Sequence, residues 1–189
     1  VILVNNGSND NSKNILEDLL KNENKINFIN LDKNLGYGNG ILKGLKVSKN
    51  NFLAWTHADL QTDFQDCIKG FNYLYECYLN NTKLILKGKR INRNNFDSFF
   101  TFLMSKFIYL IDKKKLNDIN GQPKIFSRNL FKKFTNPPKD FLLDYFLLNL
   151  AVEENYKILN IDVDFHERSY GVPKGGGSLI GKIKLSLKT

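Results

Sequence analysis

The chain has 189 residues, of which 42% are hydrophobic, 13% aromatic and 25% charged, and its formal net charge is +9. This composition is typical of a globular protein with one sizeable core, and it excludes a disordered tail. The positive charge favours an anionic partner, which could be a phosphorylated small molecule, an acidic membrane surface or a nucleic acid.

Short apolar runs alternate with segments of helical period through the first ninety residues. Strands are predicted at 1–4, 26–31, 52–55 and 83–88, and helices at 12–21, 41–47 and 64–78. This alternation predicts an α/β fold in which a mostly parallel central sheet is flanked by helices. Ligands of such sheets gather at the carboxyl ends of the strands, where the polar loops of this sequence fall.

The third of these helices carries large apolar residues at intervals of three and four. They are Phe64, Ile68, Phe71, Tyr75 and Tyr78. Because this spacing places them on one side of a helix, the sequence predicts that this side is buried.

Beyond residue 90 the alternation breaks. We predict a helix at 97–113, the irregular segment NGQPKIFSR at 120–128, a helix at 140–152, a strand at 156–163 and a tail that ends in a basic amphipathic helix. No repeat or linker is visible, so residues 1–189 are expected to form a single domain.

Three observations concern the setting of the chain. The longest apolar run, 99–111, is interrupted by Lys106 and is too short to span a bilayer. Cys67 and Cys77 are interpreted as free thiols in a reducing compartment. Because the chain starts directly with the buried-type strand 1–4, we expect its natural amino terminus to lie further upstream.

The segment THADLQTD (56–63) follows the third predicted strand. A carboxylate among other oxygen donors at the carboxyl end of a strand can hold a divalent cation that also binds phosphate. We predict Asp59 as the metal ligand, with Gln61 and His57 beside it, because side chains two residues apart point the same way in an extended segment. Asp63 is expected to cap the next helix, and a turn or cap is also the alternative role for Asp59.

Two other loops are candidates for contacts with a nucleotide. In NNGSND (5–10), Asn5 and Asn6 can hydrogen-bond to a planar base. In NLGYGNG, Gly36 lies near a helix start, where exposed amides suit a phosphate, although the pattern is neither GxGxxG nor a P-loop. Each loop has the simpler alternative of a structural turn.

Taken in order, these loops and several later segments resemble the landmarks of family-2 inverting glycosyltransferases with the GT-A fold. The segments are VNNGSNDNS, NLGYGNGILKGL, THADLQTD, GKR, NGQPKIFSR, LLDYFLLNLAVEENYKI and DFHERSYGVPK. The resemblance covers nearly the whole chain and is greatest to the branch of dolichol-phosphate mannosyltransferases and polyprenyl-phosphate sugar transferases. It depends on the order and spacing of the motifs rather than on any one of them.

The resemblance implies metal-dependent transfer of a sugar from a nucleotide-diphosphate donor to a polyprenyl-phosphate or glycan acceptor. Residues 1–95 would bind the nucleotide sugar, and residues 96–189 would face the acceptor. Asn5 and Asn6 take the place of the acidic pair near the base, and Asp59 takes that of the second DxD carboxylate on Mn²⁺ or Mg²⁺.

The family pattern also selects basic residues. Arg168 and Lys174 match the Arg and Lys of an R-x-x-G-x-x-K ending. Together with Arg90, Lys124 and Arg128, they are candidates for contacts with donor or acceptor phosphates. The alternative for each is a solvated surface position.

Asp144 resembles the late acidic residue of the family and is our candidate for the catalytic base or for positioning the acceptor. A hydroxyl acceptor needs a base, whereas a phosphate acceptor is already ionised near neutral pH. The alternative is a carboxylate on a helix surface.

The sequence departs from the family pattern at three places. His57 replaces the first DxD aspartate, which implies weaker metal binding or a preference for Mn²⁺. Asn5 and Asn6 replace an acidic pair, and the first strand–helix unit of the family is missing.

We therefore expect a cytoplasmic glycosyltransferase that acts in cell-envelope polysaccharide synthesis, and the basic amphipathic tail suggests a peripheral position at the inner membrane face. Two alternatives stay open. One is a sugar-nucleotide-binding module with reduced catalysis, which the changes at His57, Asn5 and Asn6 suggest. The other is a nucleic-acid-binding protein, for which only the net charge argues, because no reading motif is present. No nucleic-acid partner is expected.

Overall fold

A computed structural model describes residues 1–80, 82–93 and 95–168. It contains β1 (Ile2–Asn6), α1 (Ser12–Leu20), β2 (Asn27–Leu31), α2 (Tyr37–Val47), β3 (Phe52–Trp55), α3 (Gln65–Leu79), β4 (Leu84–Ile91), α4 (Asn95–Asp112), β5 (Lys124–Ser127), α5 (Arg128–Phe131), α6 (Leu142–Glu153) and β6 (Lys157–Asp164). The predicted α/β fold with helices flanking the strands is confirmed.

The strands form two sheets instead of one. β1 and β2 pair in parallel, with Ile2 opposite Asn27. The second sheet has the order β3-β5-β4-β6, in which β5 is antiparallel to β3 and β4, and β6 is parallel to β4. Thus β3 and β4 run the same way, as predicted, and β6 runs in that direction too. The antiparallel strand lay unrecognised within the segment NGQPKIFSR, because its four residues are too few to show a period.

Helix α2 connects the two sheets. Its Leu42 and Leu45 belong to the same core cluster as Leu53 and Trp55 of β3. On the β1 side, a side chain at Gly44 would come within 3.2 Å of Val4. One helix therefore covers strands of both sheets, and it starts at Tyr37, four residues earlier than predicted.

The main core lies between the second sheet and the helices α2 and α6. Leu143, Leu147, Leu148 and Ala151 of α6 are all fully buried. Trp55 packs edge-on against Phe126, with ring centroids 5.4 Å apart. This packing gives the carboxyl ends of β3 and β4 a rigid support.

The prediction for the buried side of α3 is wrong. Its five large apolar residues are 38–69% exposed, and the side that faces the sheet carries Asp66, Gly70 and Leu74. The reason is the close approach of the helix at Gly70, where a Cβ would lie 2.7 Å from Ile125 and 2.9 Å from Leu86. The aromatic rings instead flank this line of contact. Hydrophobic spacing alone does not reveal where a glycine lets a backbone touch a sheet.

Loops from both sheets meet at one edge of the molecule. The turn after β2 contacts the loop after β3, since the rings of Tyr37 and His57 lie 5.5 Å apart. The loop after β3 also pairs with the chain that follows β6, where the His166 amide donates to the Gln61 carbonyl at 2.9 Å. Polar groups from distant parts of the sequence are thereby brought together.

Cys67 and Cys77 both lie in α3 as free thiols, as predicted. Lys174 and the predicted basic helix of the tail fall outside the described residues. Within the ranges that are described, none of the helices is both long and apolar enough to cross a membrane.

Candidate active site

Asp59, Gln61 and Arg168 form an open polar cluster at this edge. Nη2 of Arg168 donates to Oδ2 of Asp59 at 2.6 Å and to Oε1 of Gln61 at 3.2 Å. Oδ1 of Asp59 accepts the Gln61 amide at 3.3 Å, which holds the loop in a turn. Asp59 therefore fills the alternative turn role and also directs its second oxygen outward.

The chain between β6 and Arg168 is held in place by two sets of contacts. Nε2 of Gln61 donates to the His166 carbonyl at 3.1 Å. The neighbouring ring of Phe165 lies under the guanidinium groups of Arg90 and Arg93, at 5.2 and 5.4 Å. These contacts fix the backbone that carries the Arg168 side chain.

His57 lies in the same loop, but the segment 56–63 is not extended as we expected. Leu60 adopts a φ of 60°, which turns the chain within the predicted metal-binding motif. Asp59 and Gln61 converge, while the His57 ring lies tilted beside Tyr37. Desolvation lowers the pKa of His57, although part of its surface is exposed, and the charge of Asp59 acts in the opposite direction. A neutral imidazole keeps a lone pair for a metal.

Asp63 has a separate role. Its Oδ1 accepts the amide of Gln65 at 2.8 Å, at the first turn of α3. Asp63 therefore satisfies one amide of that turn, although the N-cap position itself is Phe64, which has no side-chain cap.

Asp144 is buried, with 1% of its surface exposed, so the alternative of a helix-surface carboxylate is wrong. Its Oδ2 accepts the Tyr37 hydroxyl at 2.8 Å. Its Oδ1 accepts Nε2 of Gln122 at 3.0 Å and forms an ion pair with Nζ of Lys124 at 2.9 Å. Burial, followed by the charge and hydrogen bond of Asp144, raises the pKa of Tyr37 well above its ordinary value. Tyr37 is therefore the proton donor in this contact.

A second buried group of charges lies next to this one. Arg90 binds Asp118 through its backbone amide and its guanidinium. Burial tends to raise the pKa of Asp118, but the hydrogen bonds and charge of Arg90 outweigh it and lower that pKa. Nζ of Lys87 meets only main-chain acceptors in this region, the carbonyls of Asp118 at 3.1 Å and Gly88 at 3.3 Å. Burial, and then the charge of Lys124, lower the pKa of Lys87 to about 7.

The sequence predicts that Asn5 and Asn6 contact a nucleotide base, and the two differ in which of their side-chain atoms are already hydrogen-bonded. Nδ2 of Asn5 donates to Asn30 at 2.8 Å, and its Oδ1 accepts the Ser8 hydroxyl at 2.6 Å. Nδ2 of Asn6 donates to the Gly36 carbonyl at 3.0 Å, while its buried Oδ1 has no hydrogen-bond partner among the described residues. Asn6 thus retains an acceptor, whereas Asn5 stabilises the turn.

Gly36 is placed against protein backbone. Its φ of 105° is in the region that favours glycine, and a Cβ there would lie 2.6 Å from the Lys139 carbonyl oxygen. The same carbonyl accepts the Asn39 amide of α2 at 2.9 Å. This arrangement supports the structural-turn alternative for the glycine-rich loop.

Three of the predicted basic residues are not brought to the open cluster. Arg90 is engaged by Asp118, as described above. Arg128 donates to the Asn50 carbonyl at 2.7 Å, before the start of β3 and thus at the opposite end of that strand from Asp59. Lys124, which we considered for a phosphate contact, is fully buried with Asp144.

Sequence reasoning missed Tyr37, Gln122 and Asp118 as members of the site. For two of them, the sequence did offer a signal. Tyr37 lies in NLGYGNG and Gln122 lies in NGQPKIFSR, and both segments are among those that resemble the family. Their partners lie far away in the sequence. Asp144, for example, is 107 residues from Tyr37.

Comparison with protein families gives one match. The family described as "Glycosyl transferase family 2" matches residues 1–135, which is more than two thirds of the chain. A search of curated proteins found no match.

Solved structures share the fold at low sequence identity. Glucosyl-3-phosphoglycerate synthase from Mycobacterium tuberculosis, in complex with phosphoglyceric acid, has a TM-score of 0.68 and 11% identity over 90% of this chain and 61% of that chain. A mannosyltransferase from Pyrobaculum calidifontis, in complex with GDP-Man and Mn²⁺, has a TM-score of 0.61 and 14% identity, over 100% of this chain and 55% of that chain. S. aureus TarS 1-349 has a TM-score of 0.53 and 18% identity, over 98% of this chain and 54% of that chain. This chain thus spans 54–61% of the length of those structures.

Proposed function

This chain belongs to glycosyl transferase family 2 and has the GT-A fold, and we propose that it transfers a sugar from a nucleotide-diphosphate donor with inversion at the anomeric carbon. The observation that carries the proposal is the convergence of Asp59 and Gln61 on one nitrogen of Arg168, at 2.6 and 3.2 Å. Oxygen donors beside a guanidinium provide both the cation-binding and the anion-binding parts of a diphosphate site.

We propose that Asp59 and Gln61 hold a divalent cation, with His57 as a nearby third donor. The nitrogen of Arg168 marks a point that both oxygens reach, so the donor set fits an ion there. Diphosphate oxygens and water would complete the shell, because the described residues contain no group of three or more His, Cys, Asp and Glu suited to a metal. A bound divalent cation supplies charge neutralisation for the departing diphosphate.

The choice of metal follows from the ligand types. Imidazole is a borderline ligand that suits Mn²⁺ better than Mg²⁺, so His57 favours Mn²⁺. The structural neighbour from Pyrobaculum calidifontis, which contains GDP-Man and Mn²⁺, supports this assignment. Asn6 is the last residue of β1, and we propose that its buried Oδ1 accepts a hydrogen bond from the nucleotide once the side chain turns toward it.

The state of the carboxylates favours an acceptor that needs no base. Asp59, Asp118 and Asp144 are each paired with a basic side chain. Oxygens of all three carboxylates are thus already occupied by these partners, whereas a phosphate acceptor is ionised near neutral pH and needs no base. We therefore propose a phosphate-bearing acceptor such as polyprenyl phosphate, in preference to a sugar hydroxyl. Asp144 then acts as a positioning residue that holds Tyr37 and Gln122.

Helix α4 provides a surface suited to a lipid-borne acceptor. Among its described side chains, five large apolar ones are exposed: Phe99, Phe102, Leu103, Tyr109 and Leu110. Lys106 lies on the same helix, and a run of three lysines follows it at 113–115. Exposed apolar groups beside lysines are typical of segments that lie on anionic membranes. We propose that this helix contacts the membrane surface peripherally.

The proposal is tested with a donor screen on the purified chain. Released nucleoside diphosphate is measured for UDP- and GDP-sugars with Mn²⁺ or Mg²⁺, in the presence and absence of polyprenyl phosphate in vesicles. We expect release that requires the metal and increases with polyprenyl phosphate. The Asp59→Ala variant should lose about 100-fold or more of this activity, whereas Lys21→Gln, a surface change at the end of α1, should retain it. Release that persists in Asp59→Ala and in excess chelator would contradict the proposal.

One observation favours a second candidate, a sugar-nucleotide-binding module with reduced catalysis. Asn5 is fully engaged by Asn30 and Ser8 and so does not offer the contacts of an acidic pair to a base. Calorimetry separates the two candidates. Binding of a nucleotide sugar with Mn²⁺, without release of nucleoside diphosphate under any acceptor condition, would favour the module.

A further inference from the structure

Arg168 touches both proposed cation ligands at once. The same nitrogen, Nη2, lies 2.6 Å from Oδ2 of Asp59 and 3.2 Å from Oε1 of Gln61. Neither member of the ion pair is closed off, because 31% of the Arg168 side chain and 20% of the Asp59 side chain are exposed. Ions and ligands can therefore reach this contact from solvent.

A cation and this nitrogen cannot occupy the same place. Oxygen ligands lie about 2.0–2.1 Å from Mg²⁺, so an ion bound to both oxygens would take the position of Nη2. A guanidinium that stayed beside it would also face strong charge repulsion. Binding of the ion consequently requires the Arg168 side chain to leave.

We propose that Arg168 competes with the divalent cation for Asp59 and Gln61. When the nucleotide is bound, the displaced guanidinium binds its diphosphate and no longer competes with the cation. The inference rests on the proposed function, because it deepens the role of the same site. With the cation alone, the site carries an excess of two positive charges, since Asp59 is the negative group that faces Arg168. Arg168 thus weakens the binding of the metal alone and strengthens the binding of the metal together with the nucleotide.

The backbone next to Arg168 allows this exchange without a larger rearrangement. The His166 amide donates to the Gln61 carbonyl at 2.9 Å, and Nε2 of Gln61 donates to the His166 carbonyl at 3.1 Å. Neither bond uses the two oxygens that would bind the ion. The side chain of Arg168 can leave while its backbone stays at the mouth of the site, within reach of the diphosphate.

The test measures Mn²⁺ binding directly by the electron paramagnetic resonance signal of free Mn²⁺, with no added nucleotide and with UDP or GDP. For Arg168→Gln we expect Mn²⁺ alone to bind about fivefold more tightly than to the unmodified chain, since an exposed ion pair no longer competes. The enhancement of Mn²⁺ binding by the nucleotide should fall about tenfold. Lys21→Gln removes one positive charge at the end of α1, away from the site. It should change neither the affinity for Mn²⁺ nor its enhancement by the nucleotide.

Arg168→Lys provides a second variant that keeps the charge but not the paired donors, and we expect both quantities to lie between those of the other two proteins. Circular dichroism confirms that each variant is folded. Equal Mn²⁺ affinity in Arg168→Gln and the unmodified chain, together with an equal enhancement of Mn²⁺ binding by the nucleotide, would overturn the proposed exchange. In that case the proposed sugar transfer would still stand if nucleoside diphosphate is released. If no protein binds Mn²⁺ with UDP or GDP and none releases nucleoside diphosphate, both the exchange and the proposed function fall.

Discussion

Two acid–base pairs of similar geometry lie at the same edge of the sheet and differ in burial. Lys124 and Asp144 are 2.9 Å apart with 0% and 1% of their side chains exposed. Arg168 and Asp59 are 2.6 Å apart, but with 31% and 20% exposed. The two ion pairs therefore cannot be distinguished by contact distance. They differ in the exposure of their side chains to solvent, which decides how easily each pair can separate.

The physical reason is the cost of separating each pair. Removing one partner of a buried pair leaves an uncompensated charge in a medium of low dielectric constant. An exposed charge that loses its partner is solvated instead, so the exposed pair contributes little to stability. The buried pair is therefore suited to holding Tyr37 and Gln122, and the open pair to exchanging its cation.

Breaking the buried pair should give the largest effect. Lys124→Met leaves the carboxylate of Asp144 buried without its charge partner and should lower the free energy of unfolding by about 3–5 kcal/mol. Lys133→Met, which breaks the more exposed pair of Lys133 with Glu154, is the matched control and should cost about 1 kcal/mol or less. Urea unfolding measures both. Equal losses in the two variants would remove the distinction between buried and exposed pairs.

Removing a hydroxyl from the buried network should have a smaller effect. Tyr37→Phe keeps the ring beside His57 but deletes the hydrogen bond to Asp144, which should cost about 1.5–3 kcal/mol of stability. The control is Tyr145→Phe, which deletes a hydroxyl bonded to Asp112 at a partly exposed position, with a smaller expected loss. Thermal unfolding compares the two, and a larger loss in Tyr145→Phe would contradict the proposed importance of the buried network.

The next prediction concerns the pH dependence of stability and Lys87, whose ammonium group bonds to main-chain carbonyls and pairs with no carboxylate within the described ranges. The pKa of Lys87 is about 7 in the folded chain, against about 10.4 in an unfolded one. Above pH 7 the folded chain gives up a proton that the unfolded chain retains, so stability rises with pH between these two values. The gain between pH 6 and pH 8 should be about 1 kcal/mol.

Unfolding by urea at pH 6 and pH 8 measures this gain, and Lys87→Met should abolish it. If the variant and the unmodified chain change equally over this range, Lys87 is not the group responsible.

The smallest expected effect concerns the open cluster. His57→Asp replaces a borderline ligand by a hard one and should raise the ratio of Mg²⁺-supported to Mn²⁺-supported release severalfold. Thermal stability should hardly change, because His57 belongs to the exposed loop. The measurement is nucleoside diphosphate release with each metal. A ratio that stays constant would argue against His57 as a metal donor.

The strands and most helices could be predicted because their apolar runs and periods are local properties of the sequence. The run FLAW at 52–55 corresponds to β3 residue for residue. The pairing of β5 between β3 and β4 could not be predicted, because it joins segments that are distant in the sequence and depends on tertiary contacts. The prediction of the buried side of α3 is wrong for a similar reason, because the contact at Gly70 depends on the sheet that the helix packs against.

Sequence motifs predict Asp59, Gln61 and Arg168 as site residues, and the structure brings these three together across 109 residues of chain. Their roles as ligands of a cation and a diphosphate stay predictions. Tyr37 and Asp118 were not selected, because a tyrosine in a glycine-rich turn and an aspartate in a loop have many ordinary explanations. Their importance is visible only from the partners that the fold gives them.

The position of Trp55 has a practical consequence. It is the chain's single tryptophan, it is buried against Phe126, and it ends strand β3, two residues before His57 in the loop that we propose binds the metal. Excitation that avoids tyrosine will therefore report on one place in the protein. Its fluorescence offers a label-free titration signal for following ligands as they arrive at this loop.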